Sequence, residues 1–216
     1  MRVASPRLTT LVIAASVVLG LAACSEAGAK GKAAKGAPTF VDGGISMGNP
    51  NAKVKVVEFA SASCSHCARF DAEVFPAFKA KYIDTGRISY TFKEFLTQPE
   101  QYAAGAFLLA RCAGPAKYFS VVEGAFRGQT EMFATQDMRT PLLKVAQSAG
   151  MNEDQFKACV SDQVQLKALS DRIDHAQTVD KITGTPTFIV NGVTVASGEV
   201  TLAQLDAAIA AAQAKK

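Results

Sequence analysis

The sequence predicts an α/β fold in which a small sheet is interrupted by a long helical insertion. Three observations carry this reading. An apolar run, Val54 to Phe59, reads as a buried strand and is followed at once by a segment with helical spacing. From Gln98 to about Asp180 no strand pattern appears. Strand patterns then return at Thr187 to Val190 and Val193 to Ala196, joined by Asn191-Gly192, a strong signal for a two-residue hairpin.

Taken in order, Thr39 to Val41 is a candidate first strand and Val54 to Phe59 the first clear one. The next segment places Phe70, Val74, Phe75, Phe78 and Tyr82 at spacings of three and four, so it is a helix with one buried face. Pro76 should kink it, because proline lacks the N–H and clashes with the preceding turn. Gly86 closes it. Ile88, Tyr90 and Phe92 alternate with polar residues, so residues 87–92 read as a strand. A strand-helix-strand unit implies parallel pairing. In the insertion, helices are expected at 99–112, 115–126, 139–148, 152–162 and 163–179, punctuated by Gly114-Pro115, Gly128, Pro141 and Gly150. Leu202, Leu205, Ala208 and Ile209 give the last helix its apolar stripe.

The N-terminus reads as an export signal. Arg2 and Arg7 precede an apolar stretch from Leu11 to Leu21, which is too short to span a bilayer and suits a signal peptide. Leu21-Ala22-Ala23-Cys24 then resembles the bacterial lipoprotein box, which implies cleavage before Cys24 and a lipid on its sulfur. The alternative is an ordinary secretory signal with a stray cysteine. Ser25 favours the outer membrane if the cell has two. Residues 25–39 are mostly Ala, Gly and Lys and carry almost no apolar bulk, so they read as a flexible tether. Loss of Arg2 and Arg7 with the signal lowers the net charge from +4 to +2, which is no nucleic-acid-binding signature. The expected organisation is a signal peptide at 1–23, a tether at 24–39, a sheet domain at 40–97 and 181–216, and an inserted helical domain at 98–180. The expected location is the periplasmic face of a bacterial envelope, with the protein lipid-anchored and monomeric.

Four further cysteines allow three pairings. Cys64 and Cys67 are close enough to pair within one turn, which leaves Cys112 with Cys159. A bridge there would close a loop of about 50 residues, worth roughly 4 kcal/mol as an upper estimate in the chain-entropy view. The alternative is two buried free thiols packing as small apolar residues. Neither Cys112 nor Cys159 has a motif that activates it, so a bridge would be structural.

Cys64-Ser65-His66-Cys67 lies where the first clear strand gives way to a helix. Unpaired N–H groups and the positive end of the helix dipole favour a thiolate at Cys64, and the thiolate is the form that attacks a disulfide. With Val56 to Ser61 before it and Gly184-Thr185-Pro186-Thr187-Phe188-Ile189-Val190-Asn191-Gly192 downstream, the chain resembles the DsbA-like thiol-disulfide oxidoreductases over roughly residues 45–212. That resemblance implies a thioredoxin fold with an inserted helical domain. Some relatives also carry the Cys112 and Cys159 pair. Two positions depart from the family pattern and bear on oxidant strength: Ser65 stands where the best-known members have proline, and Thr185 where strong oxidases often have valine.

The roles follow residue by residue. Cys64 is the nucleophile and is expected to be exposed, Cys67 the resolving thiol, and the two form the redox disulfide. His66 is expected to donate a hydrogen bond or positive charge toward the Cys64 sulfur. Pro186 is expected to be cis, the alternative being an ordinary proline at a strand start; the resemblance implies that its loop faces the dithiol, where the Thr185 backbone could pair with an extended substrate chain. Glu58 should lie buried under Cys67 and relay a proton to or from it, the alternative being a solvent-facing strand residue. His175 reads as a surface helix residue. Zinc would need a second close ligand pair, and covalent haem a histidine at position 68, which is alanine. No metal or cofactor is expected.

The leading functional expectation is a dithiol oxidase that passes its disulfide to newly exported proteins and, as the resemblance implies, is reoxidised by a DsbB-type membrane partner. The alternatives are a reductase or isomerase of the same fold and a non-redox lipoprotein that binds unfolded chains. The segment before residue 45 is too short and polar for an isomerase dimerisation domain.

Overall fold

Strand β3 (Val54–Ala60) is the spine of the sheet. In the computed structural model, which describes Met1 and residues 36–214, β3 lies between parallel β4 (Ile88–Glu94) and antiparallel β5 (Thr187–Val190). β1 (Thr39–Val41), β2 (Gly44–Gly48) and β6 (Val193–Ser197) complete the order β1-β2-β4-β3-β5-β6. Both faces of β3 are covered near its C-terminal end, so Glu58 to Ala60 are all buried there. The expected signal peptide, Cys24 and the tether as far as residue 35 lie outside the described residues.

Two strand boundaries differ from the sequence reading. Thr39 already pairs with Ser46 across β1 and β2, so the tether ends one residue earlier than expected. Strand β2 itself carried no signal. Ile45 and Met47 point into the core, but the glycines at each end of this short segment hide the alternation. At the other edge the hairpin forms as read. Asn191 and Gly192 have φ of 46° and 81°, the left-handed pair that a type I′ turn needs. Asn191 Oδ1 accepts from the Lys55 backbone N–H at 2.7 Å, which pins the hairpin to the start of β3.

The crossover from β3 to β4 is made of α1 (Ser65–Glu73), the single turn α2 (Phe75–Phe78) and a π-helical turn, Lys79–Ile83. Pro76 sits in the first turn of α2, so the break falls just ahead of it. Aromatic side chains fill the space between this crossover and the sheet. Phe70 meets Phe188 with ring centroids 4.6 Å apart, and Phe75 meets Tyr90 at 5.4 Å. Such pairs contribute about 0.5–1.5 kcal/mol beyond the area they bury. Helix α8 (Leu202–Ala214) buries Leu205 and Ile209 in the same core. A smaller cluster of Phe59, Phe95, Ala176 and Ile182 packs on the other side of β3.

The insertion consists of α3 (Glu100–Cys112), α4 (Pro115–Thr135), α5 (Arg139–Ser148), α6 (Glu153–Val160) and α7 (Gln163–Thr178). Helix α4 runs two turns past its expected end and straight through Gly128. A Cβ at that position would lie 2.7 Å from the Tyr102 hydroxyl, which donates to the Ala125 carbonyl at 2.6 Å. The glycine makes room for a crossing tyrosine; it does not end the helix. Pro141 lies in the first turn of α5, where a missing N–H costs nothing. Helix α6 opens on a capping box formed by Asn152 and Gln155. Cys112 and Cys159 form a disulfide with their Cα atoms 6.0 Å apart, joining the C-terminal turns of α3 and α6.

One carboxylate ties this insertion to the sheet. Glu94, 1 % exposed at the end of β4, accepts from Arg111 Nε of α3 at 2.7 Å and the Tyr118 hydroxyl of α4 at 2.8 Å. It also accepts from Arg172 Nε of α7 at 2.7 Å. Buried charges persist only when paired and hydrogen-bonded, and removing one partner strands the others. Replacing Glu94 by Gln leaves two largely buried guanidinium groups without a counter-ion. The expected loss is roughly 3 kcal/mol of unfolding free energy, measured by urea denaturation. A loss under about 1 kcal/mol, the level of a surface pair, would contradict the role given to this carboxylate.

Candidate active site

The chain geometry at the end of β3 delivers the dithiol. β3 stops at Ala60, and Ser61 to Ser63 form a buried turn. In it Ser63 Oγ donates to the Thr97 carbonyl at 2.7 Å, and the Thr97 N–H donates to Ser61 Oγ at 3.1 Å. Thr97 is followed by a cis Gln98–Pro99 peptide, a feature with no signal in the sequence reading. Cys64 then takes the N-cap of α1 with extended backbone angles, and its sulfur accepts from the Cys67 N–H at 3.4 Å. Thus Cys64 Sγ stands where a serine or aspartate oxygen usually caps a helix.

Cys64 and Cys67 are both present as thiols, one turn apart. Their ionisation is set in opposite directions. The Cys64 thiol is brought down from 9.0 to about 5. The largest cause is the hydrogen bond from the Cys67 thiol; the Thr185 hydroxyl and the N–H groups of Cys67 and His66 add to it, against the cost of partial burial. Cys67 is pushed well above its ordinary value, by burial first and by the neighbouring Cys64 sulfur second. The outer sulfur is therefore the one that ionises first, while the inner one keeps its proton.

Contrary to expectation, Cys64 is not freely exposed: 9 % of its surface reaches solvent. The loop holding Thr185 and Pro186 covers it. The Thr185–Pro186 peptide is cis, and the protonated Cys64 sulfur donates to the Thr185 carbonyl at 3.3 Å. Thr185 Oγ1 is buried and has no hydrogen-bond partner among the described residues, so its hydroxyl can turn toward the sulfur once the thiolate forms. Ser65 is exposed at the first position of α1.

His66 also departs from the sequence reading. Its imidazole is exposed, and Nδ1 lies 2.9 Å from Glu199 Oε1 instead of facing the sulfur. Arg69 pairs with the same carboxylate. What His66 brings to Cys64 is its backbone N–H. Glu199 was missed because it lies in the loop after β6, over a hundred residues away, with no motif around it. Its neighbour Gly198 donates its N–H to the Pro186 carbonyl at 2.7 Å, which places Glu199 beside the cis-proline loop.

Glu58 is buried, 3 % exposed, and accepts from the Tyr90 hydroxyl at 2.5 Å. Burial raises its pKa from 4.5 to about 8, and the Cys67 thiol feels its charge. Asp71, likewise raised by burial to about 6, lines the same small cavity as Glu58 and Tyr90. His175 is exposed on α7. The Cys112–Cys159 disulfide belongs to the insertion, and no hydrogen bond joins it to the dithiol among the described residues.

The family profile described as Thioredoxin matches residues 41–211. The chain belongs to the thioredoxin family. Its fold is DsbA-like, a thioredoxin fold with a helical insertion. It is similar to the crystal structure of Wolbachia pipientis alpha-DsbA1, with a TM-score of 0.71 and 27 % identity over 79 % of this chain and 90 % of that one. A protein-disulfide isomerase from Novosphingobium aromaticivorans shares the fold with a TM-score of 0.65 at 22 % identity, covering 79 % of this chain and 97 % of that one. A Rickettsia bellii protein named "Putative protein-disulfide oxidoreductase" is 33 % identical over 148 residues, which are 68 % of this chain and 56 % of that protein. The chain thus spans a little over half the length of this curated relative.

The opposed ionisation of the thiols makes stability depend on pH. In the reduced protein, Cys64 has a lower pKa folded than unfolded. It contributes stability above the unfolded thiol value, about 8.5, and that contribution is lost as pH falls through about 5. Glu58 acts in the opposite sense, since its raised pKa removes stability as pH rises from about 4.5 through about 8. Glu58 is present in both redox forms, so it drops out of their difference to first order. The stability of the reduced form relative to the Cys64–Cys67 disulfide form is expected to grow between pH 5 and pH 8. Urea denaturation of both forms at the two pH values measures it, and an unchanged gap would contradict the lowered Cys64 pKa.

Proposed function

We propose that this protein is an exported thiol-disulfide oxidoreductase working as a dithiol oxidase. The observation that carries the reading is the stabilised Cys64 thiolate. A thiolate held by hydrogen bonds stabilises the reduced pair, and this makes the disulfide form a stronger oxidant. The similarity to alpha-DsbA1 and to the named oxidoreductase supports the same chemistry.

A substrate thiolate attacks Cys64 Sγ of the Cys64–Cys67 disulfide. The new bond joins substrate sulfur to Cys64, and Cys67 leaves as a thiolate that takes a proton from Glu58. A second substrate thiol, deprotonated, attacks the first substrate sulfur and releases Cys64 as a thiolate. Two electrons pass from two substrate thiols to the cysteine pair. Of the two protons released, one ends on Cys67 through Glu58 and the other in solvent. The low pKa of Cys64 makes it a good leaving group in the second step. The cis-Pro186 loop presents the Thr185 backbone beside the sulfur, where an extended substrate chain can pair with it.

The N-terminal sequence supports lipid anchoring through Cys24, with the tether at 24–38 and the catalytic unit at the periplasmic face of the envelope. The substrates are then unfolded or partly folded exported proteins with free thiols. A DsbB-type membrane partner restores the disulfide, and the protein works as a monomer.

Equilibration of the protein with glutathione buffers tests the reading. A reduction potential well above that of a thioredoxin-type reductant, about −270 mV, with Cys64–Cys67 mostly oxidised in cells, is the expected result. A pair held reduced in cells points to the reductase or isomerase alternative. Full cellular function of a Cys64→Ala variant would show that no redox turnover is involved.

A further inference from the structure

We propose that Gln129 is a positioning residue for Cys64, through which the helical insertion sets the reactivity of the attacking sulfur. The inference rests on the thiol-disulfide reading above and names a residue outside its motifs. Gln129 lies in α4, is 5 % exposed, and projects its side-chain amide into the turn that leads to the dithiol. Its Nε2 donates to the Ala62 carbonyl at 2.8 Å and to the Cys64 carbonyl at 3.1 Å. Both hydrogens of one –NH2 group are thus spent on the carbonyls of the two residues that flank Ser63.

These two bonds matter for the sulfur in two ways. First, a buried carbonyl without a donor carries an unbalanced negative partial charge, and the Ala62 carbonyl, in the turn that holds Cys64, has Gln129 as its donor. Pairing it with an N–H group reduces the negative potential a thiolate would meet. Second, they fix the direction of the peptides entering α1. The Cys64 carbonyl also accepts the first helical bond, from the Ala68 N–H at 3.1 Å. The Cys67 N–H that reaches the sulfur lies within that same turn. If the turn is free to rotate, the N-cap geometry at Cys64 loosens.

The helix behind Gln129 is itself held in place by a hydrogen bond and close packing. Tyr102 of α3 donates to the Ala125 carbonyl one turn earlier in α4, and Gly128 leaves the space that the tyrosine ring and hydroxyl occupy. Tyr102 and Gly128 thus hold the turn of α4 that carries Gln129, while the turn after β3 takes both hydrogens of its amide. A buried amide that merely satisfies its own polarity would show none of its effect on Cys64 ionisation, and this separates the two roles.

The test uses the full-length reduced protein and its Gln129→Met and Gln129→Glu variants. Methionine keeps the length and removes the donors; glutamate keeps the shape, removes the donors and adds negative charge. Thiolate absorbance at 240 nm against pH gives the Cys64 midpoint, and glutathione equilibration gives the redox constant. In Gln129→Met the midpoint is expected to rise by about one pH unit, with a shift of roughly tenfold toward the disulfide form at fixed glutathione ratio. Gln129→Glu is expected to raise it further. Midpoints and redox constants equal to wild type in both variants, even with a lowered melting temperature, would overturn the inference. If Gln129→Met fails to fold, Gln129→Glu decides alone by the same readings. A wild-type midpoint near 8.5 would overturn the thiol-disulfide reading as well, whereas a low wild-type midpoint that neither variant moves overturns only the role of Gln129.

Discussion

The unequal hydrogen bonding of two sulfurs is the constraint on which the site depends. Cys64 Sγ caps a helix at its open end, while Cys67 Sγ, one turn inward, is wholly buried in the apolar core and feels the charge of Glu58. Identical side chains three positions apart thereby acquire opposite ionisation. The difference comes from the fold: a strand that ends at Ala60, a buried serine turn, and a helix whose first turn has nothing but sulfur to cap it.

Much of the frame needed to hold that turn lies outside the motif. The cis-Pro186 loop covers Cys64 from one side, and Gly198 holds that loop through its N–H. The Thr97 segment before cis-Pro99 braces Ser61 and Ser63, and Gln129 holds the backbone of Ala62 and Cys64. Glu94 in turn keeps three helices of the insertion on the end of β4. The insertion therefore does more than cover the sheet, since one of its helices contacts the reactive turn itself.

The strands other than β2, the kinked crossover, the Asn191-Gly192 hairpin and the dithiol at a helix start are legible in the sequence because each has a local signature: alternation, proline, a turn pair, paired cysteines. What was not legible depends on contacts between distant residues. Gly128 reads as a helix stop until Tyr102 is seen crossing it. Ile45 and Met47 are too few, between glycines, to announce a strand. His66 was expected to serve the sulfur with its ring because nothing near it in sequence competes, yet Glu199 takes the ring from across the fold. Glu94 and Gln129 resemble ordinary surface residues in an ordinary polar pattern, and only burial reveals their work. Glu58 was readable because it sits in an apolar run, where a carboxylate has few innocent explanations.

The most direct test of the account is the pH dependence of alkylation of reduced Cys64 by iodoacetamide. The account predicts a rate profile with its midpoint near pH 5, with Cys67 unreactive across the same range. A midpoint near 8.5, that of an unperturbed thiol, would contradict it.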